Sequence, residues 1–212
     1  MQIKSTNISI PKTVIWNDQP VQTGIYKHPT NTPIFLGKSD VKDDSVIDRK
    51  YHGGAFKACY LFSENQYAYW KSLYHNLNWD WGMFGENLTV SGFDETKIYV
   101  GDIYKVGSAV IQVTEPREPC WKLGIKFGSQ GIIKQFIKKG FPGTYVRVLE
   151  EGYVTKGDQF QLIEQASNSI TVYQFFNLLF SSEKDQNLLK KIIKSDSIPP
   201  KKRKDLKQFV LY

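Results

Sequence analysis

Residues 1 to about 160 alternate between short apolar runs and polar turns. Thr13–Trp16, Thr23–Tyr26, Ala58–Phe62, Lys97–Val100, Tyr104–Val106, Ala109–Thr114, Tyr145–Leu149 and Gln159–Ile163 are brief and rich in β-branched or aromatic residues, the composition of strands on a pleated, half-buried surface. Gly-Asp or Gly-Ser pairs recur at Gly101-Asp102, Gly107-Ser108 and Gly157-Asp158, where glycine frees the backbone to turn. Many short strands so punctuated predict a barrel or sandwich. Two helices interrupt them. Ser63 and Gln66 have capping-box spacing ahead of Tyr67–Lys71, and Gly131–Lys139 stops at Gly140 with lysines in its last turn. Past about residue 165 the period becomes helical. Thr171 and Gln174 form another capping box before Val172, Phe175, Phe176 and Leu179; Leu188, Leu189, Ile192 and Ile193 mark a second helix, and a third follows Pro200. The expectation is a mainly β fold with α over residues 1–165 and a small three-helix domain over 166–212. Helices so short must pack on each other or on the barrel.

Composition narrows the class. At 212 residues the chain buries a real core, and 41% hydrophobic with 23% charged residues is globular. No apolar run approaches the ~20 residues of a membrane-spanning helix. Met1–Asn7 lacks a secretory signal's layout, and two cysteines make no disulfide framework. These features predict a soluble, cytoplasmic protein with reduced thiols and no membrane partner. The net charge of +7 invites a nucleic-acid reading, but the only dense basic run is Lys201–Lys204. A recognition surface wants a wider stripe with exposed aromatics, so the run reads as the solvated start of a helix and nucleic acid is disfavoured.

Chemistry gathers at Glu115-Pro116-Arg117-Glu118-Pro119-Cys120-Trp121-Lys122. Pro116 and Pro119 exclude a regular helix interior and most central-strand positions, which predicts a rigid loop. Arg117 and Lys122 flank Cys120, and nearby positive charge favours the thiolate, the form that binds metal or attacks electrophiles. A buried structural cysteine is the plainer alternative, and Cys59, within an apolar strand, is expected to be one. Arginines are scarce beside the lysines, yet Arg49, Arg117 and Arg147 fall next to His52-Gly53-Gly54, Cys120 and Gly143-Thr144-Tyr145. A guanidinium fork binds phosphate or carboxylate through two parallel hydrogen bonds. Met83-Phe84-Gly85-Glu86-Asn87-Leu88 adds an acid and an amide on a glycine turn. Three widely spaced histidines without Cys-x-x-Cys do not resemble a zinc site, and no dinucleotide or P-loop glycine motif occurs. Cys120 with His52 as nucleophile and base remains open.

Taken in order, His52-Gly53-Gly54 with Lys57-Ala58, Met83–Leu88, Gly101-Asp102, Gln112-Val113-Thr114 leading into Pro116-Arg117-x-Pro119-Cys120-x-Lys122-Leu123, and Gly143-x-Tyr145-x-Arg147 resemble a MOSC domain, more narrowly its YiiM-type subgroup. The resemblance covers roughly residues 20–165, and residues 168–212 look like the three-helix domain that follows it there. Val41–Arg49 keeps Asp48 but lacks the glycine usual near its start. The resemblance implies a MOSC-type β-barrel that binds the molybdenum cofactor (molybdopterin), with Cys120 as the metal ligand. It further implies two-electron reduction of N-hydroxylated bases or amines, fed by a separate flavin-containing reductase. On that reading Arg49, Lys57, Arg117, Lys122 and Arg147 grip the pterin phosphate, Asn87 and His52 offer neutral hydrogen bonds, and His52 serves as a proton donor. A carrier or binding module for the cofactor or its sulfur, without turnover, is the alternative. A homodimer stays open.

Overall fold

A computed structural model describes residues 1–211, and Lys50 in its backbone only. Tyr212, the last residue of the expected helical unit, lies outside the described residues. The N-terminal half runs β1 (Gln2–Ile8), β2 (Lys12–Trp16), β3 (Gln19–Thr23), β4 (His28–Thr30), β5 (Ile34–Leu36), α1 (Arg49–His52), β6 (Cys59–Ser63), α2 (Tyr67–Leu73) and β7 (Leu88–Ser91). After it come β8 (Ile103–Val106), β9 (Ala109–Pro116), α3 (Trp121–Lys126), α4 (Gly131–Lys139), β10 (Thr144–Glu150), β11 (Gly152–Val154) and β12 (Phe160–Glu164). Three helices close the chain: α5 (Val172–Phe180), α6 (Gln186–Lys194) and α7 (Pro200–Lys207).

Eight strands form one sheet in the order β12-β8-β9-β10-β6-β7-β1-β4, antiparallel except for the parallel pair β6 and β7. Among the described residues the expected barrel is not closed. Its nearest approach to closure is a bridge between Gln2 and Gln159, where the Ile3 amide donates to the Asp158 carbonyl at 2.9 Å. One face of the sheet buries Ile3, Leu61, Val90, Ile111 and Val146. A second core is aromatic: Phe62, Trp70, Phe84, Phe127 and Phe136 join the sheet to α2, α3 and α4. A third core, with Ile170, Phe175, Leu189, Ile192 and Leu206, lies among the last three helices. Those helices also pack on the sheet, since Val172 and Phe176 of α5 enter the first two cores.

Four local expectations need correction. Thr23–Tyr26 is no strand, because Thr23 ends β3 and residues 24–26 follow it outside any sheet. Ser63 does not cap α2: its hydroxyl donates to the Phe93 carbonyl at 2.8 Å, and a short 3-10 turn over Glu64–Gln66 intervenes. Lys97–Val100 is no strand, and Tyr99 makes only an isolated bridge to Thr171. Pro116 completes β9 opposite Thr144 instead of opening the loop, because a strand's last residue needs no further ladder donor. Elsewhere the local signals hold. The Thr171 hydroxyl and Gln174 make a reciprocal capping box, and Gly140 ends α4 in the left-handed region at φ 78°.

Candidate functional site

β9 carries the chain to Pro116, after which the loop turns and Cys120 caps α3 in extended backbone, φ −130° and ψ 169°. The thiol is half-buried and lines two hollows at once. The inner cleft, counted together with the open space at its mouth, has a void of about 630 Å³. Lys27, Lys57, Arg117 and Lys122 bring four cations to its wall. The outer recess is walled by Tyr51, Glu118, Pro119 and Trp121, with Asp48, His52, Lys57 and Tyr145 shared between the two.

Arg117 is the most constrained of these groups. It is 3% exposed and lies near the rings of Tyr60 and Phe136, while its Nη1 has no hydrogen-bond partner among the described residues. Burial works against its charge, but Tyr60, Cys120 and Tyr145 outweigh that and raise its pKa above the ordinary value. A buried donor without a partner costs stability, so an anionic group in the cleft would satisfy it.

Lys122 is buried beside Asp48, with Nζ 3.3 Å from Oδ2. Lys57 donates to the Tyr51 carbonyl at 2.9 Å and stands 3.5 Å from Glu115 Oε1. His52 ends α1, its amide bonded to the Asp48 carbonyl at 2.9 Å. Burial first, then the charges of Arg117, Lys122 and Lys57, push its imidazole down to about 4 against the pull of Asp48. His52 is therefore neutral at neutral pH. Gly54 follows at φ 93°, a left-handed turn that a side chain would strain, while Gly53 is extended.

Other expected ligands go elsewhere. Arg49 pairs with Asp40 at 2.5 Å on the surface, and Arg147 donates from Nε to Gln112 at 2.6 Å over the Phe56 ring. Neither lines the cleft. Asn87 does line it, but its Oδ1 accepts from the Tyr60 amide and its Nδ2 donates to Asp44 and the Asn7 carbonyl. Asn87 is thus a brace for the wall, with its amide already engaged by protein. Cys59 is fully buried, which pushes its thiol far up, as expected of a packing residue.

Groups that no motif marked stand in the cleft wall or close to it. Lys27 and Asp44 form a buried ion pair at its wall. Burial raises the Asp44 carboxyl, but Lys27, Asn87 and the Ser9 amide outweigh that and hold it below the usual carboxylate range. Lys126 is pushed down to about 7 by burial, and it clasps the Ile25 and Gly82 carbonyls at 3.0 and 2.8 Å. The hairpin of β2 and β3 turns through Asn17 and Asp18, both at positive φ, and stacks Trp16 on Trp121 with centroids 4.7 Å apart.

The family model described as "MOSC domain" matches residues 48–161, a span that includes His52, Lys57, Arg117, Cys120 and Lys122. The chain belongs to the MOSC family. Along 99% of both chains this MOSC protein superposes on the crystal structure of YiiM from Geobacillus stearothermophilus, with a TM-score of 0.83 and 28% identity. It is 34% identical over 175 residues to YflK of Bacillus subtilis, covering 82% of this chain and 78% of that protein. A protein of Gibberella moniliformis named "Reductase" is 30% identical over 177 residues, which is 80% of this chain but only 30% of the fungal one. The MOSC chain is therefore of the YiiM type.

Proposed function

We propose that this MOSC protein is a molybdenum-cofactor-dependent oxidoreductase that reduces N-hydroxylated bases or amines, with Cys120 as the protein ligand to molybdenum. The observation that carries the proposal is the half-exposed Cys120 thiol at the junction of a cationic cleft and an aromatic recess. The residues present fit the cofactor. Arg117 Nη1 is buried and unpartnered, and three further cations face the same cleft. Among the described residues no group of three His, Cys, Asp or Glu side chains stands together. One soft thiolate suits a metal whose other ligands come from a pterin dithiolene and oxo groups. The reductase name of the fungal relative supports redox chemistry.

In this reading Arg117, Lys122 and Lys57 hold the pterin phosphate, and Lys27 adds positive field from a position tied to Asp44. When bound, the cofactor supplies two-electron reduction. The reaction breaks the N–O bond: R–NH–OH with two electrons and two protons gives R–NH2 and water, the electrons coming from a separate flavin-containing reductase. His52, neutral at neutral pH, orients substrate or pterin by hydrogen bonding and holds no second ring proton to release. Tyr51, Pro119 and Trp121 form the wall against which a planar base lies. Protein made in a cofactor-competent cell should carry close to one molybdenum per chain and reduce hydroxylaminopurine with an artificial electron donor. Absence of molybdenum would overturn the proposal, and molybdenum without turnover would leave a cofactor carrier.

A further inference from the structure

We infer that Lys202 of α7 is a positioning residue for the Cys120 loop, so that the site is assembled from the sheet and completed by the last helix. The inference rests on Cys120 as the functional centre, but not on which metal or substrate it serves.

Lys201–Lys204 reads in sequence as a solvated basic run remote from the site. The structure places Lys202 differently. Its Nζ is ion-paired with Glu118 and lies 4.0 Å from Glu115 Oε2, more than 80 positions back along the chain. Glu115 is 2% exposed, and among the described residues its Oε1 has no hydrogen-bond partner. On that side stands Lys57, 3.5 Å away. The buried carboxylate thus lies between Lys202 of the helical unit and Lys57 of the cleft. A buried charge is tolerated only when it is compensated, so loss of Lys202 leaves Glu115 to draw on Lys57 alone.

Glu118 is the second anchor point. It lies two residues before Cys120 and lines the outer recess. Pro119 separates the two, and its fixed φ makes the connection stiff, so holding the Glu118 carboxylate restrains the direction in which the Cys120 thiol points. The helix is held independently of this contact. Leu206 is buried in the helical core, and Arg203 pairs with Asp196 at 2.8 Å. Removing Lys202 therefore releases the loop without detaching α7.

The test uses the full chain free of cofactor and reads two local quantities. One is amide exchange over residues 117–123. The other is the alkylation rate of Cys120 by iodoacetamide, followed as a function of pH and compared at its high-pH plateau, so that loop position and not ionisation limits it. Lys202→Met should raise both by about threefold or more, as expected for loss of an ion pair that restrains a loop. Lys202→Arg should restore both, and Lys201→Met, at an exposed neighbour, should change neither. Should Lys202→Met fail to fold, Glu118→Gln removes the same contact from the loop side and should give the same pair of increases. No change in the loop, or an equal rise throughout α5, α6 and α7, would overturn the inference. The assay contains no molybdenum, so failure of the proposed activity would leave its result standing.

Discussion

The two hollows that meet at Cys120 are built on opposite principles. The inner cleft is defined by charge: its cations come from segments far apart in sequence, and they are held by Asp44, Asp48, aromatic rings and backbone carbonyls. The outer recess shares Asp48, His52 and Lys57 with the cleft and adds Glu118, but its other walls are flat or rigid, Tyr51, Pro119 and Trp121, with Trp121 backed by Trp16. An anion is recognised by donors that remain unsatisfied until it arrives. A flat, weakly charged molecule is recognised by surface it can lie against. On the proposed function, cofactor would take the first hollow and substrate the second, and that division can be broken at either side.

The largest effect should come at the shared residue. Cys120→Ser should lower molybdenum retention by more than the ~10–100-fold typical of losing a supporting residue around a metal. Because the thiol is half-buried, unfolding free energy should change by no more than about 0.5 kcal/mol. A large stability loss with molybdenum retained would return Cys120 to a packing role.

His52 probes the electrostatics of the inner side. Its pKa of about 4 in the fold, against 6.5 in the open chain, means that between those values the unfolded chain binds a proton that the folded chain does not. Stability should therefore fall as pH drops from about 6.5 to about 4, by on the order of 3 kcal/mol in total. His52→Gln should flatten that part of a thermal-melt pH series, and an unchanged slope would show that neither burial nor the neighbouring cations hold the imidazole down.

Arg117 separates binding from folding. Arg117→Lys keeps the charge but loses the fork, and should weaken cofactor retention by about ten- to a hundredfold. Arg117→Met should lose retention as well, while the cofactor-free protein melts at the same temperature or higher, because a buried, incompletely paired guanidinium is replaced by an apolar chain. Retention unaffected by either change would move the anion site away from Arg117.

The smallest effect belongs to the outer wall. Trp121→Ala should raise KM for an aromatic N-hydroxylated base by about two- to tenfold, the worth of one aromatic contact. Molybdenum content and KM for an aliphatic hydroxylamine should stay as they were. Equal increases for both substrates would show that the recess selects by something other than flatness.

Legibility in the sequence followed the locality of the signal. β9 and β10 are visible because their own residues alternate or run apolar, and α5 is visible because its cap and its apolar face are both local. β1 is hidden, because Ser5, Thr6 and Asn7 are buried polar residues whose partners arrive from elsewhere; Asn7 Nδ2 donates to Thr89 at 3.1 Å. The Cys120 loop could be read because prolines, charge and thiol are contiguous. Arg49 and Arg147 could not be placed by adjacency to glycine motifs: Asp40 takes one, and Gln112 with Phe56 takes the other. Lys27 carries no motif, and Lys202 stands only in a basic run that reads as solvated, since what brings both to the site is the packing of segments distant from Cys120.

The Trp16–Trp121 stack has an optical consequence. Two indoles at 4.7 Å and 16° between planes are close enough for their excited states to couple, so the pair should give a circular dichroism signal that neither ring produces alone. The hairpin of β2 and β3 carries one of those rings and the residue after Cys120 carries the other. Any tilt of the hairpin away from the recess would uncouple them, giving the mouth of the site a built-in spectroscopic ruler.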